Sequence, residues 1–382
     1  MVVLLPALLL IWPGCTTRPF PVVKLPAVRY GRRGLTMIAF IILTGLAIIG
    51  TTRITVDSQV LEELDKTSAT VNDFRFYENQ FFGLLNLEVH LKGDLRTPAA
   101  FRAVEALQAE LIEAEDVNGV ESYAHWLREV SGKQAEISDS EIYMATQFLA
   151  AAGDAFPAHM VNEDFSQGRI RLFLRGAGTQ RFLELKALIL RHAAEFPEGL
   201  SADVSGYAEM AHESTRMVVV TMLRSLVITL AVITLLLSVM YRSWKLGLLA
   251  LIPNGLPILV ALGLTGWLGI NLRIGIVMIY SVGIGLAVDD SIHMLSRFRA
   301  EQLRSPHLSS REQLLRTLST TGTALIVTSI ILTVGALCYL PATLQSMRDV
   351  GLLLTVIVLT ALAADLFLLP FLVERAERSA KD

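Results

Sequence analysis

Six long apolar runs constrain this chain more than any other feature of its sequence. Each run is 17 to 23 residues long, and about 20 apolar residues in a helix cross the ~30 Å hydrocarbon core of a bilayer. The runs are Gly34–Gly50, Val218–Met240, Leu246–Leu268, Ile274–Leu295, Gly322–Leu340 and Gly351–Val373. The composition agrees with six transmembrane helices, because 53% of the 382 residues are hydrophobic and only 18% are charged.

The charged residues are divided unevenly between one long segment and the short loops. Residues 53–213 contain 14 Lys/Arg and 27 Asp/Glu, whereas the rest of the chain contains 19 and 9. The loops on one side of the predicted bundle hold 15 basic residues, and the short loops opposite hold two, Arg273 and Arg348. The positive-inside rule therefore places residues 53–213 outside the cell membrane and both chain ends in the cytoplasm. Because the basic residues are spread over several loops, they form no nucleic-acid-binding patch.

The acidic outer segment has the pattern of two β-α-β units. The predicted strands are Leu84–Leu91, Val117–Tyr123, Arg169–Arg175 and Leu200–Ser205. A threonine, Thr97 or Thr179, stands before each intervening helix as a predicted N-cap, and Pro98 suits a first helical position. Two units of this kind are typical of a ferredoxin-like α/β domain.

Two adjacent carboxylates, Asp289 and Asp290, stand among apolar residues of the fourth run. An ionisable group inside a bilayer costs on the order of 3 kcal/mol, so it usually marks an ion or substrate path. Ser281, Gly285, Asp289 and His293 are four residues apart and share one helix face. A proton or substrate path is the favoured interpretation, and polar packing between helices is the alternative.

Two other polar residues of the apolar runs are candidates for the same path. His293 lies about one helical turn from Asp289 toward the cytoplasm, where it either passes protons inward or lies at the lipid headgroups. Asp365, near the cytoplasmic end of the last run, either joins the path or packs against a neighbouring helix.

Prolines and glycines in the third and fourth runs predict helix irregularities. Pro253 and Pro257 remove backbone donors, so they are expected to kink their helix. Gly283 and Gly285 lack side chains, so they are expected to permit close approach of a neighbouring helix.

The first residues of the chain repeat a pattern from its end. Leu-Leu-Pro-Ala-Leu at 4–8 is similar to Leu-Leu-Pro-Phe-Leu at 368–372, which suggests a duplication. A signal peptide is the alternative, although no positive charge precedes the apolar residues. The predicted divisions are a transmembrane helix remnant (1–13), a basic cytoplasmic linker (14–33), a transmembrane helix (34–52), an extracytoplasmic α/β porter domain (53–213), a five-helix bundle (214–374) and a cytoplasmic tail (375–382).

Several of these motifs resemble those of RND-superfamily permeases. The stretch Gly285-Leu-Ala-Val-Asp289-Asp290 resembles the GxxxDD motif of Patched and Dispatched relatives. Arg242–Pro257 and Ser291–Arg299 resemble stretches of the MMPL-like branch, and Thr320–Ser329 and Ala364–Pro370 are similar to its last two helices. A soluble insert after the first helix, followed by five helices, is the plan of one half of such a permease. The chain resembles the C-terminal half.

This resemblance implies a function that the residues alone do not give. It implies a proton-driven exporter of lipids or other hydrophobic compounds in the cell inner membrane, without enzymatic activity, cofactor or metal. Asp289 and Asp290 match the positions that load and release protons, with hydroxyls of Thr328 and Ser329 facing them, although many MMPL-like members have Tyr at the second position. The implied partners are a separate N-terminal half, a second copy or an accessory periplasmic protein. A non-transporting sensor or assembly factor with a sterol-sensing-like bundle is the alternative.

Overall fold

The computed structural model of the protein describes residues 33–56, 64, 68–81, 85–131, 137–151, 160–175 and 178–378. The helix remnant predicted at 1–13 lies outside the described residues, as do most of the basic linker and the last four residues of the tail. The first described element is therefore the helix that begins at Arg33.

The chain passes from a first apolar helix into an α/β domain, here called the outer domain because the loop charges predict that it lies outside the cell. Helix α1 spans Arg33–Thr51, and large apolar side chains such as Ile41 and Ile42 are exposed on it, as expected of a lipid-facing helix. The outer domain consists of α2 (Ala69–Gln80), β1 (Leu85–Lys92), α3 (Pro98–Glu113), β2 (Val117–Ser122), α4 (Tyr123–Ser131), α5 (Asp139–Ala151), β3 (Gln167–Leu174), α6 (Thr179–Ala193) and β4 (Ser201–Ser205).

The four strands form one antiparallel sheet in the order β2-β3-β1-β4. With its crossing helices, this order is the ferredoxin-like arrangement, which confirms the fold class predicted for the segment. Alternate residues of β1, Leu87, Val89 and Leu91, are fully buried on the face covered by α3 and α6. The opposite face is polar, so the period-two pattern of the sequence positions the core on one side only.

The N-cap prediction is correct at one helix and wrong at the other. The Thr97 hydroxyl accepts a hydrogen bond from the Ala100 amide at 3.2 Å, and Pro98 is the first residue of α3. At α6 the N-cap is Gly178, and Thr179 is the first helical residue. Gly178 adopts the extended conformation required of an N-cap (φ −72°, ψ 169°), so the helix begins one residue after it and has no side-chain cap.

The remainder of the chain is helical. The elements are α7 (Tyr207–Met240), α8 (Trp244–Trp267), α9 (Ile274–Arg304), α10 (Ser310–Thr317), a first π segment (Leu318–Gly322), α11 (Thr323–Leu337), α12 (Gln345–Ala363), a second π segment (Ala364–Leu368) and α13 (Leu369–Arg378). Among the described residues, six helical stretches are long and apolar enough to cross a membrane, which confirms the six predicted spans.

Several helices extend beyond the apolar runs that predicted them. Helix α7 has 34 residues, a length of about 51 Å, and its first turns belong to the outer domain. There Glu209 accepts a hydrogen bond from the Lys186 ammonium of α6 at 2.6 Å. The strand β4 enters α7 after a single residue, Gly206, so a continuous helix connects the sheet to the membrane bundle.

Helix α1 is held against α8 by small residues. A Cβ atom added at Gly263 would lie 2.5 Å from the Ala47 Cα atom, and one added at Gly50 would overlap the Gly263 carbonyl. Beside this contact, the Trp267 indole donates a hydrogen bond to the Leu46 carbonyl at 2.9 Å. Such small-residue contacts allow membrane helices to approach closely, so α1 and α8 form one packed unit.

Candidate functional site

The predicted polar face of α9 is present and faces away from the bundle core. Ser281, Gly285, Asp289 and His293 are all exposed along one side of the helix. The side chain of Asp289 is 71% exposed, and its Oδ1 atom lies 3.6 Å from His293 Nε2. The opposite side of α9 is buried against α8 and α12. An apolar core on one side therefore fixes which way the carboxylates point.

Asp289 and Asp290 line a cleft of about 740 Å³ between α9 and the chain segment formed by the first π segment and α11. The residues that line it are Leu286, Asp289, Asp290, His293, Arg297, Thr320, Thr321, Ala324, Leu325, Thr328, Ile331 and Leu332. Its charged and hydroxyl side chains stand among apolar ones. The arrangement provides carboxylates, an imidazole and several hydroxyls at one membrane-embedded location.

The two hydroxyl residues predicted to face the acids occupy different positions. Thr328 lines the cleft opposite the carboxylates, and its hydroxyl donates to the Leu325 carbonyl at 3.0 Å. Ser329 is buried and is not among the residues that line the cleft. Adjacent positions on a helix point about 100° apart, so only one of the pair faces α9.

The cleft also contains residues that sequence reasoning missed. Thr320 and Thr321 lie in the first π segment, and Arg297 lies one turn beyond His293 on the same face of α9. Arg297 could have been predicted from the sequence, because Asp289, His293 and Arg297 are four residues apart and share one helix face. No comparable signal exists for the threonines, because a π turn shifts the helix face by one residue.

Asp365 lies behind α9 rather than in the cleft. It is only 2% exposed, and its Oδ1 atom accepts a hydrogen bond from the Ser291 hydroxyl at 2.6 Å. Ser291 directly follows Asp290 in sequence but points to the buried side of the helix. Asp365 itself belongs to the second π segment, a distortion that often occurs at functional sites. Three carboxylates are therefore distributed on two sides of α9.

The glycines and prolines singled out in the sequence have different surroundings. A Cβ atom at Gly283 would lie 2.8 Å from the Ile357 side chain of α12, so close helix approach occurs there. At Gly285 no atom lies within 4 Å of such a Cβ, because this glycine faces outward with the polar residues. Pro253 and Pro257 both lie inside α8, which continues through them.

The chain is similar to several known proteins. A model described as the MMPL family matches residues 97–380. The membrane protein MJ1562 of Methanocaldococcus jannaschii is 22% identical over 288 residues, which cover 75% of this chain and 73% of that protein. The membrane protein ActII-3 of Streptomyces coelicolor is 28% identical over 181 residues, which cover 46% of this chain but only 25% of that protein.

One solved structure provides a distant comparison. The crystal structure of SecDF in its super-membrane-facing form has a TM-score of 0.44 and 15% sequence identity, and the match covers 93% of this chain and 38% of that one. The family match extends over well more than half of the sequence, from residue 97 to residue 380. The chain therefore belongs to the MMPL family, a family of RND-type membrane transporters.

Proposed function

We propose that this chain acts as the second half of an exporter that uses the proton gradient to move lipids or other hydrophobic compounds. The supporting observation is the cleft that contains Asp289 and Asp290. Asp289 is 15 residues into α9 from Ile274, about 22 Å along the helix axis and within the ~30 Å apolar core. Carboxylates at this depth are too costly to retain unless they bind an ion or change protonation state.

The proton path of this proposal follows one face of α9. Asp289 and Asp290 take up and release protons. His293 receives protons one turn closer to the cytoplasm, and Arg297 follows at the next turn. Thr328, rather than Ser329, hydrogen-bonds the carboxylates across the cleft when they are charged.

Asp365 has a secondary place in this path. It is separated from the cleft by the body of α9, and its observed partner is the Ser291 hydroxyl. Because Ser291 follows Asp290 directly, a change in the charge of Asp290 alters the electrostatic environment of the buried carboxylate. Asp365 is therefore proposed to adjust the cycle without carrying its main proton.

The open side of the cleft requires a covering partner. Asp289 and His293 are largely exposed in this chain, yet lipid cannot solvate either side chain. The proposed cover is the N-terminal half of the permease, contributing its own polar helix face. A second copy of this chain and an accessory periplasmic protein are the other partners that an interaction experiment would identify.

The transport proposal is tested in membrane vesicles from the native host, which retain any partner. A fluorescent (NBD-labelled) phosphatidylethanolamine serves as the probe, and its movement between leaflets is followed by dithionite quenching. We expect gradient-dependent movement in the wild type, none with Asp289→Asn, an equal or milder loss with Asp290→Asn and a partial loss with Asp365→Asn. These substitutions keep the side chain's size and fix its neutral state.

Two results of this assay would contradict the proposal. Full lipid movement in the Asp289→Asn, Asp290→Asn double variant would show that α9 is not the proton path. Activity that persists after a protonophore collapses the gradient would favour a sensor or assembly role. Immunoblotting of the membranes controls for expression, because equal amounts of each variant must be compared.

The proposed orientation has a separate test. Epitope tags inserted near Lys133 and at Asp382 are expected to be accessible from opposite sides, with Lys133 outside the cell. Accessibility of the Lys133 tag only after permeabilisation would reverse the orientation and the direction of the proton path with it.

A further inference from the structure

A buried ion pair joins the outer ends of two membrane helices. Arg273 precedes the first residue of α9, and its Nη2 atom donates to Asp349 Oδ2 of α12 at 2.8 Å. Both side chains are less than a tenth exposed. The second carboxylate oxygen of Asp349 accepts from the Gln345 amide at 3.0 Å. Both oxygens of the Asp349 carboxylate therefore accept a hydrogen bond, and the ion pair joins α9 to α12 at this end.

The position of this ion pair is not explained by helix stability. A positive side chain at a helix N-terminus is opposed by the helix dipole. A buried ion pair is also often no more stabilising than well-packed apolar residues of similar volume. Arg273 incurs the first cost and the pair as a whole incurs the second, which points to a role in fixing how the two helices move relative to each other.

The same helix ends contact the chain segment that leads from α1 to the outer domain. The Leu272 amide donates to the Thr55 carbonyl at 2.7 Å, and Val56 forms a parallel bridge with Leu272. Leu64 forms an antiparallel bridge with Leu344, the residue before α12. We refer to residues 55–56, 64, 271–273 and 344–349 as the outer junction.

The outer junction leads directly to the porter sheet. Helix α2 begins at Ala69, five residues after Leu64, and the Glu78 carbonyl at its other end accepts from the Asn118 side chain of β2 at 2.9 Å. The described contacts thus join the start of α9 to Leu64 through Asp349 and Leu344, and join α2 to the sheet. They are distinct from the connection through α7, which enters the sheet at β4.

We propose that Arg273 and Asp349 are positioning residues that transmit the protonation-dependent movement of α9 to the porter domain. This inference rests on the proposed function, because it requires Asp289 and Asp290 to change protonation state. With the ion pair intact, a shift of α9 carries α12 and the segment after α1 with it. Without the pair, α9 and Leu272 move while α12, with Leu344 and Leu64, stays in place.

Hydrogen–deuterium exchange of the purified full chain in nanodiscs tests this inference without a transported substrate. The Asp289→Asn, Asp290→Asn substitution mimics the protonated state, and exchange is compared with and without it. Two segments report the response: residues 276–287 report on α9, and α2 reports on the part of the outer junction that is reached through Asp349, Leu344 and Leu64. We expect both to change in the wild-type background.

The decisive comparison uses variants of the ion pair. In Arg273→Gln, Asp349→Asn, which leaves no unpaired charge, we expect residues 276–287 to respond and the outer-junction response to be lost. The exchanged pair, Arg273→Asp with Asp349→Arg, should restore the outer-junction response. A merely structural contribution of the two residues to stability does not predict this recovery. The matched control is Arg102→Gln, Asp139→Asn, which removes an exposed ion pair of the porter domain and should leave both responses unchanged.

The outcomes separate this inference from the function on which it rests. An outer-junction response that survives in Arg273→Gln, Asp349→Asn overturns the role of the ion pair and leaves the proton path intact. Absence of any response at residues 276–287 in the wild-type background counts against the proton role of the carboxylates and overturns the coupling inference with it. If the double-amide variant fails to fold, Arg273→Lys replaces it, and a weakened outer-junction response is expected because a lysine keeps the charge without the planar guanidinium.

Discussion

Replacing Gly263 with alanine should destabilise the packing of α1 against α8. Gly263 is buried, and an added Cβ atom would lie 2.5 Å from both the Cα and the carbonyl oxygen of Ala47. Carbon atoms pack best at 3.5–4.0 Å, so α1 must move by about 1 Å. The contacted atoms belong to the backbone and cannot rotate away. The substitution therefore tests whether the close approach of these helices contributes to stability.

The size of the effect follows from the geometry of this contact. Adding one methyl group to a well-packed site typically costs about 1–3 kcal/mol. Movement of α1 also weakens the bond from Trp267 to the Leu46 carbonyl and the stacking of the Arg53 guanidinium on the Trp267 ring. We expect a loss of about 2 kcal/mol in the free energy of unfolding, near the middle of that range.

Denaturation of the purified protein by SDS in mixed micelles, followed by circular dichroism, measures this loss. The matched control is Gly255→Ala in the same helix, where no atom lies within 4 Å of an added Cβ. The control should be neutral or slightly stabilising, because alanine favours helix more than glycine does. Equal unfolding free energies for the two variants would refute the packing argument.

Three further predictions concern the α/β domain. Thr97→Ala removes a side-chain cap and should lower the unfolding free energy by about 1 kcal/mol in urea titrations. The Arg96 guanidinium lowers the pKa of Asp94 below its usual value of 3.8, so this pair stabilises the fold above that pH. Asp94→Asn should therefore unfold more readily near pH 7, and its difference from the wild type should shrink as the pH falls below about 4. Phe101→Ala, which empties a buried site, should cost about 3–5 kcal/mol in the same titrations.

The sequence was most informative where one physical pattern dominated. Apolar runs identify the six spans because a bilayer leaves few alternatives, and period-two alternation identifies β1 and β3 because one face of the sheet is buried. Helix ends were less predictable. Helices such as α7 continue beyond the apolar run as polar helical turns. A hydropathy pattern indicates only where the apolar residues end, so it does not give the helix end.

The candidate site was predictable along one helix but not between helices. The four-residue spacing from Ser281 to His293 indicates a shared face, and that face is observed. The spacing does not indicate that Asp365 lies on the other side of α9 with Ser291. Nor does it indicate that a π segment brings Thr320 to the cleft, since these placements depend on packing between elements distant in sequence.

The geometry of α9 explains why it is suited to couple two events. Its buried face packs tightly, with Gly283 against Ile357 of α12. This close packing holds the middle of α9 in position. Its exposed face carries the carboxylates, and Arg273 directly precedes its first residue. A change of charge at Asp289 or Asp290 therefore acts on a helix that resists bending, and movement as a rigid unit is the response that least disturbs a close-packed core. Such a movement displaces both ends of α9 together, and the end next to Arg273 is the one that contacts the chain segment leading to the α/β domain.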